Sequence, residues 1–510
     1  MEGVIIGCAP SHGGADVHGA PKLAAMSFSF LGQARRLRCA AGWALALAFL
    51  TPWAGAQPVP ADASALPPSV EAALQRAKVP REALSALVVE VEGRQPRLAH
   101  RADAPANPAS VMKLVTTYAA LDLLGPAFTW ETPVYLDAAP QGGSLRGNVY
   151  IKGQGDPKLV VERLWLLMRR LRATGVEVIL GDIVLDRSAF ALPAHDPALF
   201  DGEPWRPYNA APDALLLNYK AVSIGFVPDL AAGVARLRYE PPLAQVELPA
   251  TVPLAAQGAA CGDWRAGLRA DFADPARIAF QGVYPAACGE REWSIAPADP
   301  GGYAARAVEG MWRELGGKLT GRVRDGKVPA GLASAFGSTS PPLSEVVRDI
   351  NKYSNNVMTQ QVFLTLGLQK AGAGSFDQAR SVLAQWWRQR LGAAEMPVVD
   401  NGAGLSREAR VSARALARML QHAWASPVMP EFMASLPIAG VDGTLRRRQG
   451  QAAGFAHLKT GALRDVVALA GYVHAAGGRR YVLVGFVNHP NASAARPALD
   501  ALVDWAASDR

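Results

Sequence analysis

One Ser-x-x-Lys, Ser110-Val111-Met112-Lys113, opens an apolar helical stretch. The next chemically loaded triplet, Ser354-Asn355-Asn356, lies 354 − 110 = 244 residues further on, and Lys459-Thr460-Gly461 stands near the C-terminus. The long interval differs in texture from both flanks. From about Thr132 it turns to short strand-like runs and Gly/Pro turns, interrupted by one helix with Val160, Val161, Leu164, Leu167, Met168 and Leu171 at helical spacing. Residues 229–300 alternate apolar and polar positions among many prolines. Helical texture resumes near Leu343 and at 411–424. Strands at 466–474 and 481–487, joined at Gly477-Gly478, precede a closing helix at 497–507. If the three motifs work together, both ends of the chain must build one helix-and-sheet domain of α+β or α/β class around a large β-rich insertion.

At 510 residues, two or three domains are expected. A formal charge of +8 is spread along the chain without an aromatic-interleaved basic stripe, which argues against a nucleic-acid partner. Arg35, Arg36 and Arg38 precede the apolar run 40–50, and Ala54-Gly55-Ala56 supplies the small residues of an export cleavage site. A signal peptide cut after Ala56 and a periplasmic location follow. The basic part lies far from Met1, so Met26 is an alternative start. The apolar run falls short of the roughly 20 residues that span a bilayer. Export would leave Cys261 and Cys288 as the only cysteines, and an oxidising compartment favours one bridge between them.

The three-residue spacing places Ser110 and Lys113 on one helix face, and a serine at a helix start meets backbone N–H groups that favour an oxyanion. Lys113 can take the serine proton only when neutral, which burial and a second cation, Lys459, would promote. In a loop between helices, Ser354 could relay a proton and Asn356 hold a carbonyl. Lys459-Thr460-Gly461 reads as an edge strand offering charge, a hydroxyl and room for a peptide backbone. The histidines His195 (beside Asp196) and His489 lack a nucleophile elbow and read as loop residues. Arg446-Arg447-Arg448 reads as a solvated face.

Together these motifs resemble the serine penicillin-recognising enzymes. Within them the chain is similar to the D-alanyl-D-alanine carboxypeptidase/endopeptidase family, the class C low-molecular-mass penicillin-binding proteins. Further resemblances are Gly153-Gln154-Gly155-Asp156-Pro157, Tyr208-Asn209-Ala210, the run 401–407 and the run 436–445. The resemblance implies a transpeptidase-like domain from 57–133 and 335–510, with an insertion of two domains, 134–160 with 240–334 and 161–239. It makes Ser110 the acylated nucleophile, Lys113 its base and Ser354 the proton shuttle. Asn356, Lys459, Thr460 and Gly461 would bind substrate, and the backbone N–H groups of Ser110 and Ala462 would form the oxyanion hole. It implies peptidoglycan stem peptides as substrate, β-lactams as covalent inhibitors and no metal or cofactor, and it leaves peripheral membrane contact and a homodimer open. Ala462 stands where family members commonly carry Ser or Thr, and Asn401-Gly402-Ala403-Gly404 replaces a more usual Asp-Gly-Ser-Gly. A β-lactamase-like hydrolase and a non-catalytic cell-wall scaffold are the alternative readings.

Overall fold

The computed structural model describes residues 64–510; the expected export signal and its expected cleavage point lie outside the described residues. Both ends of the chain share one antiparallel five-stranded sheet, ordered Ala456–Leu463, Val466–His474, Arg480–Asn488, Leu84–Glu90, Pro96–His100. Its central strands are apolar at nearly every position because both faces are covered. Along Arg480–Asn488 the two-residue period divides the side chains between two cores. Val482, Val484 and Phe486 pack with Tyr118, Phe363 and Trp386 from the helices Lys113–Leu124, Asn356–Ala371 and Phe376–Leu391. Tyr481, Leu483 and Val487 pack with Leu74 and Leu499 from the helices Pro68–Arg76 and Arg496–Ala507. The result is a sheet between two helical layers, with Ala456–Leu463 at one edge.

Between Glu131 and Thr339 the chain leaves this domain and builds a core of its own. One five-stranded sheet runs Val323–Asp325, Ile183–Asp186, Val149–Lys152, Glu131–Leu136, Ser334–Thr339, and a second, four-stranded, runs Thr251–Pro253, Val234–Glu240, Val222–Asp229, Arg291–Ile295. The strand pairing departs from the inner boundaries expected at 160/161 and 239/240, because both cuts would divide hydrogen-bonded sheets. Ile183–Asp186 pairs in parallel with Val149–Lys152 across the helix Val161–Ala173, a strand–helix–strand crossover. Val222–Asp229 lies between Val234–Glu240 and Arg291–Ile295.

Cys261 and Cys288 are bonded, closing a 27-residue separation beside the four-stranded sheet. By loop length such a link stabilises by about 3 kcal/mol. The double variant Cys261→Ser/Cys288→Ser is expected to lower the denaturation midpoint of the insertion while leaving chemistry at Ser110 unchanged. Denaturant melts with a probe in each core, together with an acylation assay, check this.

Candidate active site

Ser110 sits in a 3₁₀ turn, Ala109–Met112, that feeds directly into the helix Lys113–Leu124. The approach to that turn is held from several sides. Asn107 Oδ1 accepts from the Ala109 N–H at 2.9 Å, and its Nδ2 donates to the Ser406 carbonyl at 2.9 Å. Asn488 braces the Asn107 backbone from the sheet, accepting its N–H at 2.8 Å and donating to its carbonyl at 3.0 Å. Ala109 itself has φ +46°, a left-handed conformation that non-glycine residues adopt at a cost. Two glycines let neighbouring segments close on this turn. A side chain at Gly404 would collide with the Ala109 carbonyl, and a Cβ at Gly461 would lie 2.6 Å from the Pro108 carbonyl. Gly461 therefore makes room for the loop that carries Ser110, where the sequence suggested room for a substrate backbone.

Lys113 is fully buried. Its Nζ lies 2.9 Å from Ser110 Oγ, 2.7 Å from Asn356 Oδ1 and 2.6 Å from the Ala403 carbonyl. Two of those partners can only accept. A neutral amine has two N–H groups and one lone pair, so the two carbonyl oxygens take the hydrogens and the lone pair faces the serine hydroxyl. Burial, followed by the nearby Lys459 charge, holds the Lys113 amine well below the usual lysine range, in the direction that this arrangement requires. The Ala403 carbonyl is set by Asn401, whose Oδ1 accepts from the Ala403 N–H at 3.0 Å while Nδ2 donates to the Leu405 carbonyl at 2.7 Å. An ionised aspartate could make only the first of those contacts.

Ser354-Asn355-Asn356 forms the joint between two helices. Leu343–Tyr353 ends at Ser354, whose φ is +60°, and Asn355 caps Asn356–Ala371 by accepting from the Met358 N–H at 3.0 Å. The bend turns Ser354 Oγ toward Lys459, whose Nζ donates to it and to the Thr460 carbonyl, both at 2.8 Å. Lys459 is also fully buried, and burial brings its amine down to about 7. Thus Ser110, Lys113, Ser354, Asn356 and Lys459 form one cluster, and among the described residues neither lysine has a carboxylate partner. Thr460 and Ala462 follow on the same edge strand, with Ala462 exposed.

Several contributors had no role in the sequence reading. Asn356 Nδ2 donates at 3.1 Å to the carbonyl of Tyr208, a residue of the insertion, so the inserted region reaches the cluster. Thr444 meets Thr460 hydroxyl to hydroxyl at 2.8 Å. The loop that carries Thr444 is tied to the helix preceding Ser354, because Lys352 Nζ donates to Asp442 Oδ2 and to the Leu436 carbonyl, each at 2.6 Å. The motifs containing Tyr208, Ala403 and Thr444 were visible as runs, but nothing in a run indicates which backbone carbonyl turns inward. His195 bonds the Asn209 carbonyl at 2.7 Å and His489 the Asn491 N–H at 3.0 Å, both local loop contacts. A cavity of about 650 Å³ opens between the insertion's 191–212 segment and the 400–408 loop, with Tyr208, Gln360 and Arg407 in its wall.

A family model described as D-Ala-D-Ala carboxypeptidase 3 (S13) matches residues 66–509. A D-alanyl-D-alanine carboxypeptidase of Actinomadura sp. is 32% identical over 388 residues, covering 72% of this chain and 70% of that protein. The D-alanyl-D-alanine carboxypeptidase DacB of Haemophilus influenzae is 26% identical over 394 residues, covering 74% and 80%. The crystal structure of penicillin binding protein 4 (dacB) from Haemophilus influenzae superposes with TM-score 0.67 at 23% identity, covering 85% of this chain and 99% of that one. That protein has also been solved in complex with a β-lactam.

Proposed function

The chain belongs to the D-Ala-D-Ala carboxypeptidase 3 (S13) family of serine peptidases, and we propose that Ser110 is the nucleophile of its D-Ala-D-Ala carboxypeptidase activity. The observation that carries this assignment is the position of the buried Lys113 Nζ, 2.9 Å from Ser110 Oγ, with its two other contacts made to oxygens that can only accept. Ser110 Oγ adds to the carbonyl of the penultimate D-alanine as its proton passes to Lys113 Nζ. The oxyanion forms in front of the Ser110 and Ala462 N–H groups. Collapse breaks the C–N bond, and the leaving amine takes a proton through Ser354, which Lys459 contacts. Water then cleaves the Ser110 ester. Asn356 orients Lys113 and, with Thr460, the substrate.

When the departing amine belongs to a cross-linked diaminopimelate in place of free D-alanine, the same steps make a DD-endopeptidase. A β-lactam acylates the same oxygen, but its leaving group stays tethered, so the adduct persists. A β-lactamase would need a second base poised for water; the described hydrogen bonds place none on Ser110. The bonded cysteines, the sequence's export signal and the bacterial cell-wall relatives support action in the periplasm. No helix of the described residues is long and apolar enough to cross a membrane.

Acylation by a labelled penicillin, followed by mass spectrometry of the labelled peptide, tests the assignment. One stable adduct per chain on Ser110 is expected. The second-order rate should rise with pH as Lys113 loses its proton, far below the ordinary lysine range, and decline above about 7 as Lys459 becomes neutral. A flat profile would remove the neutral lysine from the mechanism.

A further inference from the structure

A second cavity lies beside the cluster, on the face of the central sheet that carries the helix Arg496–Ala507. It measures about 370 Å³, within the range of small-molecule sites. It is lined by the more exposed Thr460 and Ala462 and by the buried Val467, Leu469 and Leu499. Alternation along Ala456–Leu463 explains the placement. Lys459 turns to one side of the strand, toward Ser354, while Thr460 and Ala462 turn to the other, over their sheet neighbours Leu469 and Val467. Arg448, Arg496 and Asp500 also line the cavity, with the Asp504 charge acting on Arg448 from behind the lining. Arg448 is ion-paired with Asp500, and Arg496, though near enough to act on Asp500, makes no ion pair within 4.0 Å among the described residues.

We infer that this cavity is the leaving-strand subsite, which takes the diaminopimelyl residue of the second stem peptide in a cross-link. This rests on the assignment of Ser110 as nucleophile and of Thr460 as the contact for the leaving side of the scissile bond. A free D-alanine leaving group has only a methyl side chain and would leave the cavity empty. The diaminopimelate leaving group carries a three-methylene chain from its D-centre, which suits the buried aliphatic lining. Beyond that chain comes a peptide bearing carboxylates, which suits the exposed guanidinium of Arg496. Ala462 matters here because a larger residue would narrow the cavity, and its small side chain leaves the space beside Thr460 open. The cavity thus supplies endopeptidase selectivity through residues beyond Thr460 and Ala462, Arg496 and Leu499 among them.

The test compares two substrates on the intact protein, a purified disulfide-oxidised chain with its insertion in place. One is a cross-linked muropeptide dimer and the other a monomeric pentapeptide; the variants are Arg496→Glu and Leu499→Trp. For each variant, kcat/KM for dimer cleavage should fall about tenfold while D-Ala release and penicillin acylation stay within about twofold. The exposed Arg496→Glu variant decides the question if the larger tryptophan fails to pack. Equal loss on both substrates, no loss on either, or a wild-type protein that releases D-alanine but leaves dimers intact would overturn the subsite. Failure of the wild type to be acylated at Ser110 would instead overturn the assignment beneath it.

Discussion

Replacing Lys113 with methionine is expected to slow acylation by a β-lactam about 1,000- to 10,000-fold and to leave a cooperatively folded protein. The side chains are similar in length, so the buried channel stays filled. What is lost is the amine nitrogen 2.9 Å from Ser110 Oγ. The opposing stability terms are of comparable size. Removing the amine strands the Asn356 Oδ1 and Ala403 acceptors, at about 1–3 kcal/mol for an unsatisfied group. It also removes a fully buried ionisable group with no carboxylate partner, whose desolvation works against folding. Stopped-flow acylation beside a thermal melt separates a chemical defect from an unfolded one. Lys113→Arg sharpens the comparison, because a guanidinium keeps hydrogen-bond donors for the Asn356 and Ala403 oxygens but cannot act as a base near neutral pH. If Lys113 serves as the base, arginine rescues nothing. Acylation of either variant within about tenfold of wild type would sink the neutral-lysine mechanism.

The features legible in the sequence are those fixed by local spacing. Ser110 and Lys113 share one turn because three residues separate them, and Gly125 ends their helix with a φ of +83°. The apolar run 481–487 announced a strand, which the structure buries on both sides. Contacts between distant backbone atoms were not legible. The Tyr208 carbonyl reaches Asn356 across 148 residues and the Ala403 carbonyl reaches Lys113 across 290, and any residue type offers the same oxygen. The same reason hid the division of the insertion. Ile183–Asp186 pairs with Val149–Lys152 by backbone hydrogen bonds that follow a crossover helix, while composition tracks only the change from strand to helix. Gly461 shows a third kind of loss: the absence of a side chain was evident, but which neighbour needed the space was a property of the folded chain.

The cluster contains two serine–lysine pairs at nearly equal distances, and Ser110→Ala is expected to show that only one is nucleophilic. Ser110 lies at the start of a helical run, where backbone N–H groups and the positive dipole end favour developing negative charge. Ser354 lies at the joint between Leu343–Tyr353 and Asn356–Ala371, where a C-terminal and an N-terminal dipole end meet and offset each other. The lysines differ in the same sense. Lys113 has both hydrogens committed to carbonyls and so presents its lone pair, whereas Lys459 has one carbonyl partner and a hydrogen to spare for Ser354. Ser110 is therefore arranged to lose a proton and Ser354 to pass one on. Ser110→Ala should abolish the covalent penicillin adduct and lower D-Ala release about 100,000-fold or more, with the folded state and non-covalent substrate binding retained. Ser354→Ala should still form the adduct, about 100-fold more slowly. Intact-protein mass spectrometry reads the adduct directly, and an adduct of normal yield on Ser110→Ala would transfer the nucleophile's role to Ser354.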